Sequence, residues 1–369
     1  MNAPGGGGAA IAGIEPQVRP GAWSWDEFSP LREVVVGDAT GSRVPPMDRS
    51  AWLTCYPELT VAELASIEAG LYPAPVVEES NEDLAVLVQT LEELGVQVHQ
   101  PPAPDHGAEF GGPGWQSSGR SSYCPRDLAM VFGPAIVESA SPMRARYHEL
   151  AGLRPLFQDY FRRGARWIAA PRPVLANDLY EYDAEGAPVL GEAEIAFEAA
   201  NCLRLGRDVL YQVSRSGNEL GLRWLESTLG LLGDVRVHPL RGLYAGTHID
   251  STIALLRPGL VLLNPERVTP DTVPEPLKGW DVLWCPPMEV GPIAMSNPLS
   301  TPWVGMNLLM VDPTTAIVDA TQVELVRLLE RNGITVVPRT LRHARVLGGG
   351  FHCVTLDTVR DGEAEDYLG

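Results

Sequence analysis

The sequence is short of basic residues. Its 28 lysines and arginines stand against 47 aspartates and glutamates, which gives a formal net charge of -19 at pH 7. A chain this negative repels phosphate backbones and anionic lipids, so it argues against partners such as nucleic acids and membrane surfaces. A cationic small molecule is a better expected ligand.

The sequence also lacks paired cysteines and long apolar runs. Its 5 cysteines are far apart and form no CxxC pair, which predicts free thiols in a reducing compartment. No stretch approaches the ~18 apolar residues of a membrane span, and the start MNAPGGGGAAIAG does not resemble a secretion signal. We therefore predict a cytoplasmic protein with a flexible glycine-rich tail over residues 1–20 and a single domain over residues 21–369.

A recurring pattern of two apolar strands around a tight turn organises the rest of the chain. Each turn carries Gly, Pro or Asp, residue types that preset a turn backbone. The pattern is found at residues 32–44, 127–139, 202–213, 253–265 and 307–320. Five copies predict five similar structural units.

Segments with helical periodicity lie between these copies, at residues 81–95, 216–230 and 321–333. Each opens near Asn, Ser or Thr and ends in Gly, as capped helices do. A short apolar strand follows, so the unit is strand, strand, helix, strand. Five units closed in a ring would hide their strand edges. The alternative is a generic α/β layer fold with incidental hairpins.

A run of three glycines precedes one cysteine, in LGGGFHC over residues 347–353. The backbone there can turn sharply and be approached closely by a ligand. Because an ordinary thiol has a pKa of about 8.5, a nucleophilic Cys353 needs a nearby base or positive charge. The adjacent His352 is a poor base, since neighbours on a strand point to opposite faces. The alternative is that Cys353 is a small buried apolar residue.

Three further segments offer polar groups for a site. In GTHIDST, His248 and Asp250 would share one face of a strand. Glu198 in FEAAN could orient a histidine, and Asp127 in PRD begins an apolar strand. The alternatives are a solvated strand face, an exposed charge at the end of an element, and an ordinary turn residue.

Taken in order, the motifs of this chain resemble those of the arginine:glycine and inosamine-phosphate amidinotransferases. The similarity extends over nearly the whole chain and includes SPLREVVVG, PRD, YFRRGARW, HIDST, LVLLNPERV, GMNLLMVD and LGGGFHC. It implies an α/β fold, a five-bladed α/β propeller or pentein of ββαβ units with pseudo-fivefold symmetry in a single domain. The repeat count made from the strand pattern agrees with this implication.

The resemblance also implies roles for individual residues. Cys353 matches the nucleophile, His248 the general acid and base, and Glu198 the carboxylate that orients the histidine. The sequence reads FEAAN around Glu198 where the more familiar family sequence reads FDAAD, so the geometry of His248 is expected to differ. The substrate-binding residues implied are Asp127 and Asp250 for the guanidinium, Arg267 for the amino-acid carboxylate, and Ser300 and Thr301. No metal or organic cofactor is implied.

The expected reaction moves the amidino group of L-arginine to Cys353 and then to an amine, releasing ornithine. Glycine-accepting members carry Met before the histidine, whereas this chain has Gly246 and Thr247. A roomier pocket would suit an inosamine phosphate, an acceptor used in antibiotic biosynthesis. Glycine or another small amine is the alternative acceptor. Two other readings are a guanidine-hydrolysing relative, such as an arginine deiminase, and a non-catalytic arginine binder. A homodimer is one option for the assembly, which the sequence does not fix.

Overall fold

The computed structural model describes residues 21–295 and 297–368, so the tail predicted over residues 1–20 lies outside the described residues. The described chain is a mixture of strands and helices, which confirms the α/β class. Its strands are β1 (Leu31–Val36), β2 (Arg43–Val44), β3 (Gly70–Leu71), β4 (Gln97–His99), β5 (Glu109–Gly112), β6 (Trp115–Ser118), β7 (Ala129–Phe132), β8 (Ala135–Glu138), β9 (Arg166–Ala169), β10 (Tyr180–Tyr182), β11 (Pro188–Leu190), β12 (Cys202–Leu205), β13 (Asp208–Gln212), β14 (Arg236–Leu240), β15 (Ile253–Arg257), β16 (Leu260–Leu263), β17 (Asp281–Trp284), β18 (Leu309–Asp312), β19 (Thr315–Asp319), β20 (Thr335–Arg339) and β21 (Thr355–Arg360).

Helices connect these strands. The α-helices are α1 (Arg49–Cys55), α2 (Val61–Leu64), α3 (Ala74–Glu93), α4 (Arg154–Arg162), α5 (Glu219–Leu229), α6 (Val323–Arg331) and α7 (Ala344–Leu347). The short 3-10 helices are Pro125–Asp127, Arg144–Arg146, Glu149–Gly152, Asn177–Leu179, Ala199–Asn201, Gly230–Leu232, Glu275–Leu277 and Pro302–Met306. Within the described ranges, no helix has the length and apolar character needed to cross a membrane. The cysteines are free thiols, as predicted.

Five three-stranded sheets share one strand arrangement: β21-β1-β4, β7-β8-β9, β12-β13-β14, β15-β16-β17 and β18-β19-β20. In each, the middle strand pairs antiparallel with one neighbour and parallel with the other. A helix lies between the two parallel strands in chain order: α3, α4, α5 and α6 in four sheets, and the 3-10 helix Glu275–Leu277 in the fifth. Four of the five predicted hairpins are therefore present.

The predicted hairpin over residues 32–44 is wrong. β1 does not turn back on β2, which instead pairs with β3 in a separate two-stranded sheet. After β1, the backbone N–H groups of Gly37 and Asp38 donate to the carbonyls of Val354 and Ser122, so the chain runs away from β1. The antiparallel partner of β1 is β21, from the far end of the described chain.

Three helix ends also differ from prediction. Helix α3 begins after Pro73, before the predicted start at Asn81, because Pro75 presets the backbone of its first turn. Helix α5 is capped by Asn218, whose side chain accepts from the N–H of Gly221 at 2.9 Å, and not by Ser216. Gly230 continues the right-handed backbone after α5, so it is not a left-handed cap.

A buried ionic cluster joins strands of different sheets. Asp357 of β21 accepts from Arg204 of β12 at 2.6 Å and from Arg360 at 2.5 Å, and it pairs with Arg126 at 2.7 Å. Glu27 adds a second carboxylate, 2.7 Å from Arg204. These five side chains are almost fully shielded from solvent. Burying such charges is tolerated only when each one is paired, so the cluster fixes how these sheets meet.

Candidate active site

A cavity of about 700 Å³, counted with the solvent at its mouth, collects seven of the eight residues predicted for the site. These residues come from segments distant in sequence: Asp127, Glu198, His248, Asp250, Ser300, Thr301 and Cys353. Arg267 does not line the cavity. The structure therefore brings together the predicted nucleophile, histidine and acids in one place.

The glycine run holds Cys353 in a turn between α7 and β21. A Cβ at Gly350 would lie 2.8 Å from Cβ of Asn307, and a Cβ at Gly349 would lie 2.5 Å from Sγ of Cys124, so neither position has room for a side chain. Asn307 Oδ1 accepts from the N–H of His352 at 2.9 Å and from that of Cys353 at 3.0 Å. Asn307 Nδ2 also lies 3.3 Å from Sγ of Cys353. Asn307 thus fixes the turn that presents the thiol.

The thiol of Cys353 is buried and faces a carboxylate. Its Sγ donates to Asp250 Oδ2 at 3.2 Å. Burial raises the pKa of Cys353 well above its ordinary value, and the negative charges of Asp250 and Asp127 raise it further. In this arrangement the thiol keeps its proton at neutral pH.

His248 lies in a loop, so the expectation that His248 and Asp250 share a strand face is wrong. Strand β15 begins only at Ile253, and His248 itself has a left-handed backbone with φ of 65°. Its N–H donates to Ser216 Oγ at 3.3 Å, and its carbonyl accepts from Gln212 Nε2 at 2.9 Å. These contacts, and not a position on a strand, place the imidazole in the cavity.

The imidazole of His248 lies between two carboxylates. Its Nε2 is 2.5 Å from Glu198 Oε2, and its Nδ1 is 3.7 Å from Asp127 Oδ1. Burial alone would lower the pKa of His248, but Asp127, Glu198 and Asp250 outweigh burial and raise the pKa to about 9. Burial would raise the pKa of Glu198, yet Arg146 and His248 lower it to about 2. At neutral pH the pair is therefore an imidazolium bound to a carboxylate.

Arg146 links the acids of the site, and sequence reasoning missed it. Its Nη1 donates to Asp127 Oδ2 at 2.6 Å and to Glu198 Oε1 at 3.1 Å, and its Nε donates to Glu149 Oε2 at 2.8 Å. Ser141 also donates to Glu198 Oε1, at 2.7 Å. Nothing local in SPMRARYHEL distinguishes this arginine from Arg144 two residues earlier.

The two aspartates of the cavity have acceptor capacity suited to a cation. Oδ1 of Asp127 is buried and makes no hydrogen bond within residues 21–295 and 297–368. Burial raises the pKa of Asp127, so leaving this acceptor oxygen without a donor is costly even though Oδ2 is bonded to Arg146. A planar cation with several N–H donors, such as a guanidinium, would satisfy this oxygen and Asp250 together.

Arg267 lies behind the cavity wall. Its Nη1 donates to Ser251 Oγ at 2.8 Å, its Nη2 donates to Thr301 Oγ1 at 3.3 Å, and its guanidinium stacks on Tyr244, 3.4 Å from the ring centroid. Ser251, Thr301 and Tyr244 all line the cavity. Arg267 therefore supports the wall in this structure and does not face the cavity directly.

Asp127, His248 and Cys353 could also be considered as metal ligands. One donor atom of each lies within 4.8 Å of the others. A zinc ion would require a thiolate and a neutral imidazole. In the metal-free protein the raised pKa values keep both groups protonated at neutral pH, so a metal would have to displace two protons. In its protonated form the set can donate protons.

Known proteins resemble this chain along almost all of its length, although no protein-family model matches the sequence. Inosamine-phosphate amidinotransferase 1 of Streptomyces glaucescens is 45% identical over 342 residues, covering 93% of this chain and 97% of that protein. Mitochondrial glycine amidinotransferase of Xenopus tropicalis is 34% identical over 359 residues, covering 94% of this chain and 84% of that protein. The solved structure of inosamine-phosphate amidinotransferase StrB1 from Streptomyces griseus matches with a TM-score of 0.91 at 44% identity. The match covers 95% of this chain and 100% of that structure's chain. With the thiol, the imidazolium and the acids gathered in one cavity, and with relatives this similar, the chain belongs to the amidinotransferase family of enzymes.

Proposed function

We propose that this enzyme transfers the amidino group of L-arginine, through a covalent amidino-cysteine on Cys353, to the amine of an inosamine phosphate. The convergence of Cys353, His248, Asp127 and Asp250 on one cavity is the observation that carries the proposal. The 45% identity to an inosamine-phosphate amidinotransferase supports the choice of acceptor.

Arginine binding would activate the thiol. The guanidinium donates to Asp127 and Asp250, and its positive charge offsets the carboxylates that keep the pKa of Cys353 high. The thiol proton then leaves to solvent, and the thiolate attacks the central guanidino carbon. The substrate itself thereby lowers the cost of forming the nucleophile.

His248 would serve as the acid of the first half-reaction. Its imidazolium, held by Glu198, protonates the departing nitrogen as the carbon–nitrogen bond breaks, and ornithine leaves. The amidino group stays on sulfur as a cationic adduct. In the second half-reaction the neutral imidazole takes a proton from the acceptor amine, which attacks the adduct and releases the Cys353 thiolate. Ping-pong kinetics follow.

The space beside His248 differs from the sequence expectation. A Cβ at Gly246 would lie 2.3 Å from the ring of Tyr244, so the small residue makes room for this ring. Thr247 and Tyr244 both line the cavity. The acceptor preference therefore rests on the relatives more than on open volume at Gly246.

We further propose that the five three-stranded sheets form one five-bladed α/β propeller, the pentein arrangement, as a single domain over residues 21–369. The repeated strand order and the pairing of β1 with β21, which joins the first unit to the last, support this. The cytoplasmic location and the homodimer stay predictions.

Adduct trapping tests the mechanism. The protein is incubated with L-arginine and no acceptor, and digested peptides are analysed by mass spectrometry. We expect an amidino group on the peptide that carries Cys353 and none in the Cys353→Ser variant. Activity of that variant equal to the unmodified enzyme would refute the mechanism, and release of citrulline without an acceptor would favour the hydrolytic alternative.

Acceptor choice is tested by comparing turnover with an inosamine phosphate, glycine and lysine at one arginine concentration. We expect the inosamine phosphate to react fastest. Equal or faster transfer to glycine would refute the proposed acceptor while leaving the amidino-cysteine mechanism intact.

A further inference from the structure

Arg120 is a buried cation on the cavity wall that has no role in the mechanism above. The residue is 7% exposed, and its Nη2 donates to the carbonyl of Leu347 at 2.9 Å. Across residues 21–295 and 297–368, no carboxylate lies within ion-pair distance of it. Arg146, the other arginine that lines the cavity, is bonded to three carboxylates. Arg120 is thus the cavity arginine with hydrogen-bonding capacity left for a ligand.

The guanidinium of Arg120 lies beside the turn that carries the thiol. A Cβ at Gly348 would be 2.9 Å from Arg120 Nη2 and 3.2 Å from Cβ of Leu299. Gly348 begins the glycine run that leads to Cys353. Its left-handed backbone, with φ of 90°, favours glycine, and the missing Cβ leaves room for the guanidinium of Arg120. Cys55 lines the same cavity.

A buried guanidinium with free N–H donors is stabilised by a ligand that accepts from those donors and carries negative charge. Arginine presents a planar fork of donors that matches the oxygens of a phosphate or a carboxylate. The acids Asp127, Glu198 and Asp250 in the same cavity would repel an anion. A phosphorylated acceptor therefore needs a cation inside the cavity, and Arg120 has both the charge and the unused donors.

We propose that Arg120 binds the phosphate of the amine acceptor and so makes the enzyme selective for phosphorylated acceptors. This inference rests on the proposed function, because it requires an acceptor that carries a phosphate. Arg120 acts here as a specificity-determining residue for the second half-reaction and takes no part in the first.

The two half-reactions separate this role from binding of arginine. Exchange of labelled ornithine into arginine, without an acceptor, reports the first half-reaction alone. In Arg120→Gln we expect this exchange to keep its KM for arginine. The KM for the inosamine phosphate should rise by about 10- to 100-fold, the effect of losing a hydrogen-bonded charge pair. Arg120→Lys keeps the charge but loses the planar fork of donors. Its KM for the inosamine phosphate should lie between that of the unmodified enzyme and that of Arg120→Gln.

Matched controls fix the interpretation. Arg327→Gln removes the same charge from an exposed helix position and should change neither KM. A dephosphorylated inosamine should serve the unmodified enzyme and Arg120→Gln equally. Inorganic phosphate should inhibit the unmodified enzyme competitively against the phosphorylated acceptor, and Arg120→Gln should be less sensitive to it.

Two results would overturn the role of Arg120. A raised KM for arginine in the exchange with an unchanged KM for the acceptor would assign the bound anion to the carboxylate of arginine. An Arg120→Gln variant with both KM values unchanged would leave Arg120 a structural residue. Failure of the unmodified enzyme to use any inosamine phosphate would instead refute the proposed function, and this outcome is seen before any variant is made.

Discussion

The pair formed by His248 and Glu198 sets the upper pH limit expected for the first half-reaction. The pKa of His248 is raised to about 9, so the imidazolium needed to protonate the leaving nitrogen is lost above that pH. We expect kcat/KM for arginine to fall as pH rises through about 9. In Glu198→Gln, which removes one of the carboxylates that raise this pKa, the fall should begin at lower pH. Steady-state rates across a pH series provide the measurement.

The raised pKa of His248 also makes the stability of the fold depend on pH. Because the folded-state pKa of about 9 lies above the ordinary value of 6.5, protonated His248 stabilises the fold. That contribution is complete below pH 6.5 and is lost as pH rises to about 9. The free energy of unfolding of His248→Gln, measured by denaturant titration, should lack this part of the pH dependence.

The kinetic prediction has its own contradicting outcome. A pH–rate profile of Glu198→Gln that coincides with that of the unmodified enzyme would contradict the assignment of His248 as the acid.

Local motifs drew attention to the candidate site residues, and the resemblance to a known family, not the motifs alone, supplied their expected roles. Cys353, His248, Asp127 and Asp250 each lie in a distinctive segment, and all four line the cavity. Arg120, Asn307 and Arg146 could not be found this way, because their roles arise from contacts with remote segments. Arg144 and Arg146 illustrate the point: one pairs with Asp48 and the other with Asp127, although they are neighbours of the same type.

At the scale of single elements, the glycine turn before β21 depends on close approach. A Cβ at Gly350 would lie 2.8 to 2.9 Å from three atoms of Asn307, the residue that holds the Cys353 backbone. We expect Gly350→Ala to lower the free energy of unfolding by about 1–3 kcal/mol through overpacking. Displacement of the thiol should reduce kcat by about 100-fold. Thermal unfolding and turnover of arginine measure the two effects.

Gly230 provides the matched control for that turn. It follows α5 with a right-handed backbone, and a Cβ there would meet no atom within 4 Å. Gly230→Ala should leave kcat unchanged and raise the free energy of unfolding by about 0.4–1 kcal/mol, because the unfolded chain loses freedom. Equal effects of the two substitutions on kcat would show that the turn does not position Cys353.

Elements were predictable where their pairing is local. The hairpins β7–β8, β12–β13, β15–β16 and β18–β19 have short turns that appear in the sequence as Gly, Pro or Asp. The partner of β1 could not be read locally, because β21 lies at the other end of the described chain. The start of α5 was misplaced because two capping residue types, Ser216 and Asn218, stand close together before it.

At the scale of the whole molecule, Asp357 holds the sheets together through charge. It contacts Arg126, Arg204 and Arg360 in surroundings without solvent. We expect Asp357→Asn to lower the free energy of unfolding by about 3–5 kcal/mol, because the arginines keep their charge and lose a carboxylate. Arg32→Ala breaks an exposed pair with Asp361 and should cost only about 0–1 kcal/mol. Denaturant titration of both variants measures these losses. Similar losses in the free energy of unfolding would show that the buried cluster contributes no more to stability than an exposed ion pair.

The pairing of β1 with β21 also bears on how the protein folds in time. It brings together residues such as Arg32 and Asp361, whose positions differ by 329. Contacts between such distant segments pay a large entropic cost of loop closure and form slowly compared with local hairpins. Cys353 lies immediately before β21, so its final position depends on this slow step. The four local hairpins need no contact from the far end of the chain, whereas the catalytic centre is complete only once β21 has paired with β1.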